Sequence, residues 1–222
     1  MNIKSVNRLI LSLIMLGLLS GCLGLGSVDL SMGLGADDEE DDARLHYYVI
    51  DVDRGAVAAQ FAQDRVLRIM PVKVSPQFSG SHIMFKIADN EYATQDNHQF
   101  FSKPSELFTY QLQRWLQKTG QFSQVITDPN LPADLVLETS VTALYGEQRE
   151  AFSPQSALEM QFFLLSESSE GSRALFQTGL RIDIDIEKTT PANVVKGWNL
   201  GLEELLATVE DDFSGYFSKR NP

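Results

Sequence analysis

Two spacings of apolar residues alternate along the second four-fifths of the chain. Leu45–Asp51 (LHYYVID) is rich in β-forming residues. In Arg65–Ser75, Leu67 and Ile69 share one phase and Val72 and Val74 the other, with Pro71 at the slip. That pattern predicts a bulge or an edge strand at Pro71. Gly80 marks a turn, Ile83–Ala88 returns as a hairpin partner, and Glu91–Thr94 makes a short further strand. The spacing then changes to helical near Lys103–Thr119, where Leu107, Phe108, Leu112, Trp115 and Leu116 share one face. Pro104 suits the first turn of that helix and Gly120 its stop.

Phe122–Ile126 reads as a short strand, and a meander follows. Asp134–Glu147 places Leu135, Leu137, Val141, Ala143 and Tyr145 on one face; Leu158–Ser166 comes next, then a turn over Glu167–Arg173. The clearest strand has Leu180, Ile182, Ile184 and Ile186 pointing one way and Arg181, Asp183, Asp185 and Glu187 the other. A last helix spans about Pro191 to Phe217, with Thr190 as its N-cap and Val194, Trp198, Leu202, Leu205, Val209 and Phe213 as its stripe. The order βββ-α-β-βββ-α predicts an α+β fold. An antiparallel or mixed sheet carries two amphipathic helices on one face and keeps a solvated side.

The N-terminus follows different rules. Lys4 and Arg8 precede an uncharged apolar run, Leu9–Leu19. It is too short for a bilayer span of about 20 residues and suits the apolar region of a signal peptide. Leu19-Ser20-Gly21-Cys22 follows directly: a large aliphatic, two small residues and the single cysteine of the chain. This is the pattern of a bacterial lipobox. The Cys22 thiol takes a diacylglyceryl group as a thioether, and the freed amine is usually N-acylated. One acyl chain anchors marginally, whereas two or three hold durably. The expected segments are a signal peptide over 1–21, a lipidated cysteine and tether over 22–43, and a folded domain over 44–222. The tether combines glycine-rich GLG repeats with six consecutive acids, Asp37–Asp42, and such a run stays solvated. Leu23 follows Cys22 where an inner-membrane retention signal has Asp.

Composition narrows the function classes. The formal charge is −12, and loss of Lys4 and Arg8 leaves sixteen cations against thirty acids, or −14. A phosphate backbone would meet like charge, which argues against nucleic acid. One cysteine excludes an internal disulfide and thiolate-rich zinc or iron–sulfur centres. There is no nucleophile elbow, HExxH or phosphate-loop motif, so no catalytic, cofactor or metal residue is assigned. Ser79-Gly80-Ser81-His82 reads as a turn. His46, His82 and His98 stand on separate elements, each in a surface or core role. Asp183, Asp185 and Glu187 line one strand face that is solvated by default, with a cation site or a carboxylate hydrolase as the chemical alternative.

Taken in order, these pieces resemble the ABC-type transport auxiliary lipoproteins, which include the PqiC-like proteins. The resemblance runs from the lipobox through Tyr47–Ile50, Leu67–Ser75, Gly80–Lys86, Tyr92, Pro104, Leu112, Leu116, Gly120–Val125 and Ala133–Leu137 to the final strand and helix. Members often carry a tryptophan before the helix-starting proline, where this chain has Phe100, Phe101 and Lys103. The resemblance implies a non-enzymatic lipoprotein on the periplasmic face of the outer membrane, without a cofactor. Its implied partner is an MCE-domain protein of an ABC-type or PqiA-like system that moves lipids between membranes. It also implies a cyclic homo-oligomer that receives the MCE tube. The strand from Ala133 to Tyr145 and those after it are also similar to TolB N-terminal-like and LpoB-like lipoproteins, which activate or assemble envelope machines.

Overall fold

The computed structural model describes residues 44–58, 65–168 and 171–219. They form an α+β fold with nine strands in one open mixed sheet and two helices. The strands are β1 (His46–Tyr48), β2 (Val66–Ile69), β3 (Lys73–Val74), β4 (His82–Ala88), β5 (Glu91–Phe100), β6 (Gln124–Ile126), β7 (Leu135–Glu147), β8 (Gln155–Ser168) and β9 (Gly171–Asp185). The helices are α1 (Pro104–Lys118) and α2 (Pro191–Ser218).

The meander β7-β8-β9 is antiparallel throughout and forms one half of the sheet. The other side of β7 is shared by three short strands that all run parallel to it. Leu67 of β2 lies opposite Leu135, Val74 of β3 opposite Val141, and Phe85 of β4 opposite Gly146. Beyond them the sheet forks: β6 adds to β2 on one branch, and β5 then β1 add to β4 on the other.

Pro71 marks the expected slip: four positions separate Ile69 from Lys73 but three separate their partners Leu137 and Ser140, so the strand carries one extra residue there, a bulge, and β3 beyond it pairs with β7 alone. Three other expectations need correction. Ile83–Ala88 forms its hairpin with β5 and not with the Arg65–Ser75 strand, since β2, β3 and β4 each pair with β7 instead of one another. The further strand, β5, runs ten residues to Phe100, not four, because parallel pairing with β1 (His46 opposite His98) prolongs it. The third concerns β7. Val141 faces Met160 and Ala143 faces Glu159, so Thr142 is an extra residue, a β-bulge. Opposite residues share a face, and the bulge therefore reverses the alternation. Leu135, Leu137 and Val141 point to the helices, whereas Ala143 and Tyr145 point away from them with Glu159 and Arg181.

The helices form where their sequence signals place them. The Thr190 hydroxyl accepts from the Asn193 N–H, and Gly120 has φ +69° just past α1, a conformation that favours glycine. The stripe Val194, Trp198, Leu202, Leu205, Val209 and Phe213 is sealed against the sheet's inner face. There Trp198 stacks on Phe100 at 5.6 Å, and its Nε1 donates to the Ala157 carbonyl at 3.0 Å. Burying a side chain of this kind stabilises the fold by about 2–3 kcal/mol. Close approach of α2 to β8 needs Gly197, where a Cβ would lie 2.6 Å from that of Ser156. One lateral seam is less sealed. Leu180, Ile182, Ile184 and Ile186 face inward as expected, yet each stays only half-buried, because β9 is the last strand on that side.

Candidate functional site

No group of three potential metal ligands occurs among the described residues, and the polar clusters there resolve into structural pairs and networks. On the outer face of the sheet, Tyr145 is buried against Phe78 and Tyr92. Arg181 donates to the Tyr145 hydroxyl at 3.0 Å and bridges Asp183 (2.7 Å) and Glu159 (3.4 Å). Gln155 donates to Asp185 at 2.9 Å. The Asp183–Asp185–Glu187 face is therefore partly neutralised by Arg181 at Asp183, while Gln155 only hydrogen-bonds Asp185. The bond to Asp183 is the main reason the Arg181 guanidinium is held more firmly protonated than usual.

A second cluster closes the end of β7. Glu147 is buried, and Arg149 embraces its carboxylate through Nε and a terminal nitrogen, both at 2.8 Å. Burial opposes ionisation of Glu147, but the hydrogen bonds from Arg149 outweigh it and hold the carboxyl below the ordinary range. Phe152 covers the guanidinium at 3.8 Å.

On the helical side, Glu210 of α2 ties three elements together. Its carboxylate accepts from Arg54 at 2.6 and 2.7 Å and from the Trp115 indole at 3.1 Å, and its carbonyl accepts from Gln121 at 2.7 Å. Arg54, Trp115 and Glu210 floor an open groove of about 840 Å³ walled by Leu200, Glu203 and Glu204. No nucleophile, base and orienting group converge in it.

The structure does juxtapose two residues that the sequence left apart. Parallel pairing of β1 with β5 stacks His46 on His98 at 4.8 Å, and the Tyr48 hydroxyl lies 2.9 Å from His98 Nδ1. Nothing local signals this, since 52 positions separate the rings. His82 starts β4, next to β5, and Ser79–Ser81 precede it as a bend after a 3-10 turn, with Ser79 Oγ donating to the Pro76 carbonyl. Beside the histidine pair is an apolar surface that the sequence reading missed. Leu45, Tyr47 and Val49 alternate outward and are about half exposed; Phe101, 70% exposed, meets Tyr47 edge-on at 6.0 Å. Its signal was the alternation of LHYYV, whose inward half alone is needed for the core.

Leu19, Ser20, Gly21 and Cys22 lie outside the described residues, as does the tether. No helix among the described residues is long and apolar enough to cross a membrane.

Comparison with known proteins follows the fold. No curated protein matches the sequence. A Xanthomonas campestris protein of the DUF330 family is similar in structure, with a TM-score of 0.62 at 16% identity, over 77% of this chain and 94% of that one. A second solved structure, of an uncharacterised protein, gives 0.57 at 16% identity over 76% of this chain and 98% of that one. At such identities the likeness concerns the fold. The sequence itself matches the family model for the ABC-type transport auxiliary lipoprotein component over residues 48–210, from β1 into the last turns of α2. The chain belongs to the ABC-type transport auxiliary lipoprotein family.

Proposed function

We propose that this chain is a non-enzymatic lipoprotein of the outer membrane, anchored through Cys22 with its domain in the periplasm. It serves an MCE-type transport system by receiving the distal end of the MCE-protein tube as a cyclic oligomer. The observation that carries this reading is the family match over 48–210, together with Leu19-Ser20-Gly21-Cys22 upstream of it. The resolved side-chain chemistry agrees. The charged clusters are spent on internal ion pairs, while the surface offers exposed aromatic and strand-edge groups of the kind that bind proteins.

The test is co-purification from detergent-solubilised envelopes. The chain should retain an MCE-domain protein and its permease, and Cys22→Ser should move the chain out of the outer-membrane fraction. Retention of a peptidoglycan synthase or secretion channel in place of an MCE protein would replace this reading with the envelope-activator one.

A further inference from the structure

Among the described residues, the sheet ends in β9 on one side, and the β4 branch ends in β1 on the other. Main-chain geometry says which groups these edges offer. The Ile186 N–H donates to the Pro154 carbonyl across from β8. By the two-residue period, Ile184, Ile182 and Leu180 also turn their main-chain groups to β8. Gln177, Gly179, Arg181, Asp183 and Asp185 therefore turn theirs to the open side. Their run holds no proline or bulge to blunt the edge, and of its charges Arg181 and Asp183 pair with each other at 2.7 Å. At the other end, the Tyr48 carbonyl accepts from the Phe101 N–H. Tyr48 thus faces β5, and Leu45, Tyr47 and Val49 present their main-chain groups outward.

The two edges complement each other chemically. On the helix side the β9 edge brings the half-buried ladder Leu180, Ile182 and Ile184, and the β1 edge brings half-buried His46 and Tyr48 to continue it. On the outer side β9 brings the acids Asp183 and Asp185, with Glu187 after them, and β1 brings exposed Tyr47 and Phe101, with the exposed cations Arg44 and Lys103 close to them in sequence. The β6 edge lacks this match: it shows Ser123, Gln124 and Asp128 to solvent. We infer that a second copy of this chain is the occupant. Its β1 edge, Leu45–Val49, adds to the β9 edge, Gln177–Asp185, of its neighbour. The contact is heterologous, so each copy keeps one edge of each kind to offer, and repetition closes a ring. This rests on the cyclic assembly in the proposed function and gives it a contact.

The test uses the full lipidated chain in detergent, weighed by light scattering and native mass spectrometry with and without the MCE protein. Gly179→Pro removes an outward N–H without touching β8, and a Cβ there meets only Gln161 Cγ, at 3.8 Å. Tyr47→Pro does the same to β1. Each variant alone should lose assembly and run at monomer mass. Mixed, they should form a one-to-one dimer and stop there, because each retains the edge that the other lacks; misfolded variants would not pair. If wild type assembles and both variants assemble as it does, the edge contact is wrong and the ring reading stands. In that case, loss by Tyr47→Pro of MCE binding would assign the patch to the tube. A wild-type monomer under both conditions overturns the contact and the ring together.

Discussion

Three glycines of α2 differ in what a methyl group would meet, and their replacement by alanine separates helix propensity from packing. Gly215 has nothing within 4 Å of a built Cβ. Gly215→Ala should therefore gain most of the helix-interior difference between the two residues, about 0.5–1 kcal/mol so near the helix end. At Gly201 the neighbours are Ile182 Cγ2 at 3.2 Å and Ile184 Cγ1 at 3.4 Å. Both isoleucines are half-buried on the last strand and have room to turn, so propensity and crowding should offset each other to within about 0.5 kcal/mol. At Gly197 the methyl would fall 2.6 Å from Ser156 Cβ and inside contact with its Oγ, which already donates to the Val194 carbonyl. Relief requires α2 to lift from β8. Overpacking costs about 1–3 kcal/mol and loss of the Ser156 bond about 1 kcal/mol, against a propensity gain of about 1 kcal/mol. The net loss is about 1–3 kcal/mol, or a Tm lower by roughly 2–12 °C for a domain of this size. Urea denaturation followed by tryptophan fluorescence suits the measurement, since Trp198 is one helical position from Gly197 and fully buried. If Gly197→Ala proves as stable as Gly215→Ala, the close approach of helix and sheet is refuted.

Four further outcomes are expected. Cys22→Ser should abolish lipidation and processing at Gly21–Cys22, read by mass spectrometry and fractionation; unchanged maturation would remove the lipobox. Ile184→Asp should cost about 1–2 kcal/mol in denaturation, less than a sealed core position would, and Asp185→Asn about 0.5 kcal/mol or less; equal losses would mean the strand faces are reversed. Glu210→Gln should cost about 1–2 kcal/mol by weakening the bonds from Arg54 and Trp115, with a shift in the Trp115 emission as the local readout. The lowered carboxyl of Glu147 contributes stability that is present above its unfolded-state range and lost as pH falls through its folded one. Wild type should therefore lose stability on acidification more steeply than Glu147→Gln, as measured by Tm against pH; parallel curves would refute the contribution.

Local signals fixed local features. Pro104, Gly120, Thr190 and Pro191 mark the helix limits because caps and breakers act within one turn, and the Leu180–Ile186 alternation marks the last strand because one face meets a helix. Non-local pairing left no such trace. The partner of β1 stands some fifty residues away, and parallel pairing needs no turn that a sequence could show. The bulge at Thr142 was equally hidden, since Val141, Ala143, Leu144 and Tyr145 are apolar or aromatic in both phases and only the register against Met160 and Glu159 reveals the switch. The exposed Tyr47–Phe101 surface was legible as strand but not as surface, for an alternating run does not say which half is covered.

The strand β7 has a consequence for the order of events during folding. Every connection between the first half of the sheet and the second passes through it, and all three on its outer flank are parallel and long-range: Leu67 to Leu135, Val74 to Val141, Phe85 to Gly146. Loop closures of this length are slow, whereas the β7-β8-β9 hairpins and the helix that follows are local and fast. The C-terminal third is thus the natural nucleus. Until residue 135 is available, β2 and β3 have no central strand to join, so the first half of the chain forms only its local pieces, the β4-β5 hairpin and α1. A polypeptide that must be threaded through a membrane channel from its N-terminus gains from this delay, because premature structure would block passage and here the last-made segment completes the sheet.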